Sequence, residues 1–206
     1  MKVIVTGGLG FVGSHVAEHF AKEYEDVVVC DNLSRAKGKG AGDPCHNWNY
    51  LKKNFGNIKL DIVDIRDFRA VRDASKGAGL IIHAAAQVAV TTSLTDPRTD
   101  FEINALGTLN VLEAARLEDC TVVFCSTNKV YGENVNAIPI KENTTRYHFS
   151  DLRYVNGIPE DFPIDHSGHS PYGSSKLAAD IYVQDYAHTY GLKTGVFRMS
   201  CTFGER

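Results

Sequence analysis

Short apolar runs rich in valine and isoleucine alternate along this chain with stretches whose apolar positions recur every three or four residues. The first kind predicts buried strands at Lys2–Thr6, Asp26–Asp31, Ile58–Ile62, Gly79–His83, Thr121–Ser126 and Lys193–Met199. The second predicts helices over Phe11–Tyr24, Asp67–Lys76, Pro97–Arg116 and Pro171–Tyr190. Strands that alternate with helices build βαβ units, and such units build a parallel sheet covered on both faces. The expected class is therefore α/β, a doubly wound parallel sheet with helices on both faces.

Two stretches break the rhythm. Asn32–Asn57 is glycine-rich around Arg35, Lys37 and Lys39, a trio that reads as a solvated loop, with a short helix expected over Asn47–Lys53. Glu133–His169 is long, polar and aromatic. A loop of that length in a compact domain is usually functional. This one follows the fifth predicted strand at its carboxyl end, where doubly wound sheets bind ligands.

Gly7, Gly10 and Gly13 form a G-x-x-G-x-x-G turn between the first strand and the first helix. Glycine serves there for steric reasons. The chain turns tightly, the backbone lets a pyrophosphate approach, and the helix packs close to the sheet. The helix start then aims free N–H groups and a positive partial charge at the phosphates. Asp31 ends the second strand, where a carboxylate accepts hydrogen bonds from the adenosine ribose hydroxyls. The same carboxylate repels a ribose phosphate, so NAD is expected rather than NADP. The fold is thereby narrowed to a Rossmann-type domain.

Tyr172 and Lys176 form Y-x-x-x-K at the start of the last helix, on one helix face and one turn apart. Ser170 is placed to cap that helix and Pro171 to fill its first turn. A free phenol, with a pKa near ~10, is a poor base at neutral pH. A fixed ammonium and a positive nicotinamide ring favour the phenolate, so a lowered Tyr172 pKa is expected. Thr127, at the end of the fifth strand, offers the third hydroxyl such chemistry needs to hold a substrate oxygen.

Composition narrows the classes further. The 206 residues are 43% hydrophobic and 23% charged, with a net charge of -3, which offers no basic surface for nucleic acid. Five cysteines, an odd number without repeated spacing, make no disulfide framework and suit a reducing cytoplasm. No apolar run is long enough to span a bilayer, and no leader is expected ahead of the first strand. No metal is expected.

The stretches Thr6–Gly13, Asp31–Ser34, Asp64–Asp67, His83–Gln87, Val130–Gly132 and Ser170–Lys176 together resemble the extended short-chain dehydrogenases, the nucleotide-sugar epimerase/dehydratase family. The resemblance runs through the whole chain. It implies cofactor contacts from Gly7, Gly10, Phe11, Val12, Gly13, Asp31, Asn32, Asp64, Ile65, Ala84, Ala85, Gln87, Asn104 and Met199, with Lys176 also holding the nicotinamide ribose beside Tyr172. It implies a CDP- or UDP-linked sugar as substrate and a homodimer formed through Asn104–Arg116 and Tyr172–Tyr190. In the 4,6-dehydratases of this family the matching threonine is followed by Asp-Glu, whereas here Asn128-Lys129 follows Thr127. An amide cannot serve as a carboxylic acid, so epimerisation is expected over dehydration, with Asn128 and Lys129 near the substrate. Residues 1–206 then form one cofactor-binding domain that carries the catalytic helix, and a C-terminal substrate lobe is expected outside this chain. An NAD-binding module without catalysis is the alternative of another class; the full Thr127, Tyr172 and Lys176 set argues against it.

Overall fold

A computed structural model describes residues 1–37 and 44–204. Lys39 of the basic trio lies outside the described residues. Six strands, β1 (Lys2–Thr6), β2 (Asp26–Asp31), β3 (Ile58–Ile62), β4 (Ala78–His83), β5 (Thr121–Thr127) and β8 (Thr194–Met199), form one parallel sheet in the order β3-β2-β1-β4-β5-β8. The order reverses between β1 and β4, and ligands of doubly wound folds bind at such a switch point. The helices are α1 (Phe11–Glu23), α2 (Pro44–Asn54), α3 (Phe68–Ser75), α4 (Val90–Thr95), α5 (Pro97–Phe101), α6 (Gly107–Glu118) and α7 (Ser170–Tyr190).

The strand alternation divides the core into two layers. Val3, Val5, Val27 and Val29 pack with Ala17, Ala21 and Leu51 on the α1–α2 face. Ile4, Val28, Ile81, Val122 and Phe124 pack with Val71, Val111, Leu112, Ala179 and Val183 on the α3–α6–α7 face. Period-two strands buried on both sides leave little room for polar groups, so the polar groups that are buried there merit individual accounting.

Most predicted elements stand within a residue or two of their expected ends, and three differ in kind. Helix α4 is not among the predicted elements, and its β-branched Val90-Thr91-Thr92 start runs against helix propensity. The helix expected over Pro97–Arg116 is interrupted by a π-helical turn at Glu102–Leu106, centred on Asn104, whose buried amide bonds outside its own helix. The long Glu133–His169 stretch is ordered. It holds a hairpin of β6 (Ile140–Glu142) and β7 (Tyr147–Phe149), and its base is closed by Glu133 N–H to Gly168 O and Asn134 N–H to Ser167 Oγ. Val130, Tyr131 and Phe162 give this insert a small core of its own, joined by Leu177 of α7.

Candidate active site

The glycine turn has the shape that a phosphate cradle needs. Gly7 stands at φ +64°, and a Cβ there would lie 2.6 Å from Ala85 Cα and N. At Gly13 a Cβ would lie 2.2 Å from Gly7 O. Both glycines are thus dictated by internal packing. Gly10 differs, since a Cβ there meets only Gly7 O, at 3.2 Å, and is otherwise in open space. Gly10 also precedes α1, whose start has no side-chain cap. The first N–H groups of α1, at Phe11, Val12 and Gly13, therefore have no intrahelical acceptor and suit an anion.

Asp31 sits at the carboxyl end of β2 with its carboxylate oriented by Leu9 N–H (3.1 Å) and Leu33 N–H (2.9 Å). Asn32 and Asp64 are brought beside it, joined by Asn32 Nδ2 to Asp64 Oδ2 at 3.2 Å. The Arg66 guanidinium clasps Asp64 through two bonds and holds its carboxyl down at about 2. Ile65 turns the other way. It is buried in the core against Gly107. The uncapped helix start, the open side of Gly10 and the fixed carboxylate at the β2 end fit a dinucleotide, with Ala84 and Ala85 lining the floor.

Beneath that floor lies His83, fully buried. Thr108 Oγ1 donates its one proton to Asn104 O at 2.6 Å, so it meets His83 Nε2, at 3.0 Å, as an acceptor. Nε2 therefore carries the imidazole proton. Nδ1 then accepts from Thr6 Oγ1 at 2.6 Å, and Thr6 Oγ1 accepts from Ala85 N–H at 3.3 Å. Burial, with Lys176 adding to it, pushes His83 down to about 3, so the ring is neutral. This directed chain fixes the Ala84–Ala85 backbone from below.

Thr127, Tyr172 and Lys176 converge at the carboxyl end of β5. Thr127 ends that strand, and Tyr172 and Lys176 lie on the first turns of α7. Helix α7 begins at Ser170 itself, with His169 flanking it, and Ser170 Oγ still makes the expected capping bond to Gly173 N–H at 3.3 Å. Tyr172 N–H, another unpaired donor of that first turn, is met by the buried Ser93 Oγ of α4 at 3.1 Å. Lys176 Nζ donates to Cys125 O at 2.8 Å and lies 4.0 Å from the Phe124 ring centroid.

The electrostatics correct one expectation. Burial raises the Tyr172 phenol above its ordinary value, the Thr127 hydroxyl partly opposes this, and Asp100 adds to the rise. Lys176 adds no lowering to that phenol in the protein without cofactor; its ammonium donates to Cys125 O and is itself pushed down to about 8 by burial. The protein alone thus holds Tyr172 protonated.

The remaining predicted residues take distinct places. Asn104 is buried, its amide given to the Gln87 backbone at 2.9 and 3.1 Å, so it acts on the rim through Gln87. Met199, half-buried, ends β8 in register with Thr127. Asn128 and Lys129 are exposed in the turn after Thr127, and Lys129 N–H bonds Thr127 Oγ1 at 3.3 Å. Among the described residues no group of side chains is arranged to hold a metal, and no helix is long and apolar enough to cross a membrane.

Sequence reasoning missed Ser93, Asp100, Ser175 and the pair Asp180–Arg198. Asp180 is fully buried and bonds Arg198 twice, Ser126 Oγ and Gln184 Nε2. Arg198 reaches on to Glu160 O at 2.7 Å, so one ion pair ties α7, β5, β8 and the insert together. A signal was available. Asp100, Asn104 and Thr108 recur at a helical spacing of four, which marks a polar line on a face that is otherwise apolar.

Residues 3–206 match the family described as NAD dependent epimerase/dehydratase. CDP-paratose 2-epimerase of Salmonella typhi is 44% identical, a match covering 100% of this chain and 59% of that protein. UDP-glucose 4-epimerase of Mycolicibacterium smegmatis is 30% identical over 100% of this chain and 58% of its own length. Among solved structures, the Thermus thermophilus UDP-glucose 4-epimerase in complex with NAD is 33% identical with a TM-score of 0.70, covering 96% of this chain and 54% of that one. The chain thus spans less than two thirds of the length of these relatives.

Proposed function

The chain belongs to the NAD dependent epimerase/dehydratase family, and from that premise we propose that it is the cofactor-binding and catalytic part of a nucleotide-sugar epimerase, with CDP-paratose as substrate and C2 as the centre inverted. The cofactor is NAD. The observation that carries the reading is the convergence of Thr127, Tyr172 and Lys176 at the strand ends beside the glycine cradle. Support for the CDP-linked sugar comes from the 44% identity to CDP-paratose 2-epimerase. Asn128-Lys129 supports epimerisation, since it supplies no carboxylic acid for elimination of water.

Bound NAD supplies the hydride acceptor and donor and, when oxidised, a positive charge beside the phenol. The chain's own groups move and hold the proton. Tyr172 takes it from the sugar hydroxyl as that carbon becomes a ketone and gives it back once the other face is presented. Thr127 keeps the sugar oxygen within reach of the phenol. Lys176 holds the nicotinamide ribose, Asp31 the adenosine ribose, and the start of α1 the pyrophosphate. Asn128 and Lys129 contact the sugar. The remainder of the nucleotide-sugar pocket belongs to a C-terminal lobe, so this chain alone binds NAD and turns substrate over poorly. We assign it to the cytoplasm as a homodimer through α6 and α7, which sedimentation tests directly.

The deciding experiment follows the sugars by NMR. The chain, and a longer version that carries a C-terminal lobe, are each incubated with NAD and CDP-paratose, then with UDP-glucose. Interconversion of CDP-paratose and CDP-tyvelose that Tyr172→Phe abolishes is the expected result. Turnover of UDP-glucose instead moves the assignment to a 4-epimerase, the activity of the relatives that are 30% and 33% identical. An extended version that binds NAD and converts neither sugar overturns the catalytic reading in favour of a binding module.

A further inference from the structure

Asp100 of α5 is a deeply buried carboxyl near the site with no direct cationic partner. It is 1% exposed, and among the described residues no ion pair includes it. Its partners are neutral. Gln87 Nε2 and Asn104 Nδ2 reach Oδ1 at 2.7 and 3.2 Å, and Ser175 Oγ reaches Oδ2 at 2.5 Å. Each partner belongs to a different part of the site. Gln87 continues the cofactor-lining segment after β4, Asn104 braces that segment's backbone, and Ser175 stands between Tyr172 and Lys176 on α7.

Burying a carboxylate among neutral groups is costly, and an amide of the same shape would avoid the cost. Asparagine would keep the same three contacts, with one of its two N–H groups left over. Its oxygen would accept from Gln87 and Asn104, its amide would donate to Ser175 Oγ, and the serine proton would turn to Tyr172 O, 3.0 Å away. Shape alone therefore does not explain the charge. We infer that Asp100 is a positioning residue of the Tyr172–Lys176 site, a buried carboxylate that fastens the Gln87 segment to the first turns of the catalytic helix and brings a negative charge to them. The inference rests on the function proposed above for those two residues.

The other titratable groups around the pair are accounted for. His83 on β4 is neutral, and Cys125 on β5 is a half-buried thiol that desolvation pushes up. Asp180 and Arg198 pair with each other, as do Glu102 with Arg98 and Glu113 with Arg116. Tyr131 lies against the Arg198 guanidinium, and Lys129 is exposed. Cys125 and Asp180 also favour the protonated form of Lys176, and Asp100 is the charge that acts on both members, favouring the protonated form of Tyr172 and of Lys176. The site thus keeps its proton until a bound cation displaces the balance.

Two substitutions separate the charge from the fastening, and both are read on the chain without turnover. Tyrosine is isotopically labelled at Cζ, and the Tyr172 resonance is identified by its loss in Tyr172→Phe. In Asp100→Asn the Tyr172 titration midpoint falls by about half a unit to one unit, while the melting temperature stays within a few degrees. In Ser175→Ala the midpoint stays where it is, and NAD affinity measured by calorimetry falls about five-fold, the loss of one hydrogen bond. A midpoint in Asp100→Asn that matches the unsubstituted chain overturns the role of the charge. Unchanged NAD affinity in Ser175→Ala overturns the fastening. Should Asp100→Asn not fold, Asp100→Glu replaces it. The longer side chain keeps the charge and displaces the carboxylate, so a retained midpoint with weakened NAD binding supports the inference and full NAD affinity refutes it. Failure of the epimerase assay would leave these readouts intact, so the two ideas fail separately.

Discussion

Alanine at Gly7, Gly10 and Gly13 separates the stability of the turn from its ability to bind. At Gly7 the added Cβ sits on left-handed backbone at φ +64° and 2.6 Å from Ala85 backbone atoms. The left-handed conformation costs about 1–2 kcal/mol and the clash about 1–3 kcal/mol more. For a chain of this size each kcal/mol lowers the melting temperature by about 2–4 °C, so Gly7→Ala melts roughly 4–20 °C early. Gly13→Ala, with its Cβ 2.2 Å from a carbonyl oxygen, loses about 1–3 kcal/mol and roughly 2–12 °C through the clash alone. Gly10 has φ -73° and ψ 176°, which any residue adopts, and its Cβ would meet only one atom, at 3.2 Å. Gly10→Ala therefore stays within about 1 kcal/mol of the unsubstituted chain. Its Cβ nevertheless stands where a pyrophosphate approaches α1, and NAD affinity drops at least about ten-fold. The assay is thermal unfolding with and without NAD. At a concentration of about 100 Kd the unsubstituted chain gains ~2.7 kcal/mol, roughly 5–11 °C, and Gly10→Ala gains about half of that at the same concentration. A Gly10→Ala chain that melts normally and shows the full NAD shift would refute the placement of the pyrophosphate at this helix.

Three further outcomes follow from buried charge. Asp180→Ala strands Arg198 and is expected to cost about 3–5 kcal/mol by chemical denaturation, whereas the joint change Asp180→Leu with Arg198→Met recovers most of it; equal losses from both would show that the pair is not what matters. His83 stays neutral in the fold down to about pH 3 while the unfolded chain takes up its proton near 6.5, so the unfolded state binds more protons between those limits. Stability then falls with acidification by up to ~1.4 kcal/mol per unit across that window, and His83→Gln removes this component; identical slopes for the two chains would contradict a neutral His83. Lys176, pushed from 10.5 to about 8, lowers stability by roughly 3 kcal/mol at neutral pH, a loss that disappears as pH rises from 8 to 10.5. Lys176→Met is accordingly expected to melt later than the unsubstituted chain at pH 7 and to lose that advantage near pH 10.5, and an earlier melt at pH 7 would show that burying the ammonium carries no such cost.

The sheet was legible because its signal is local. Six apolar runs separated by helical periods leave few alternatives to a parallel doubly wound sheet, and three strands end where the apolar run gives way to Gly7, to Asp31-Asn32 and to Asn128. The glycine spacing and Y-x-x-x-K were legible for the same reason, since each lies within one turn or one helix. What escaped was non-local. Helix α4 runs against propensity and is tied to α7 by the Ser93 hydroxyl, which meets Tyr172 N–H 79 positions away. The π-turn at Asn104 has no composition of its own and exists because the amide bonds Gln87, 17 positions earlier. The raised Tyr172 phenol of the protein without cofactor was illegible for a related reason. Sequence spacing puts Lys176 on the same helix face, but it does not reveal that the ammonium donates to Cys125 O, 51 positions earlier, and that burial acts on both groups.

The distribution of buried polar groups is itself an argument for chemistry at this end of α7. A helix whose only task was to cover the sheet would present Ala179, Val183 and their like along its whole inner face, as the C-terminal half of α7 largely does. The N-terminal half instead buries Tyr172, Ser175, Lys176 and Asp180, and it faces the buried Ser93, Asp100, Asn104, Ser126 and Thr127. Asp180 has its cation in Arg198, and that pair anchors the insert. Lys176 and Asp100 have no such direct partners, although one is 2% and the other 1% exposed. Isolated buried charges are the groups a fold selected for stability alone would discard first, and replacement of even a matched buried pair by apolar residues is often stabilising by about 1–4 kcal/mol. Lys176 and Asp100 flank Tyr172 at the carboxyl ends of β4 and β5, next to the switch point of the sheet, and the destabilisation they bring is concentrated where a doubly wound fold binds its ligand.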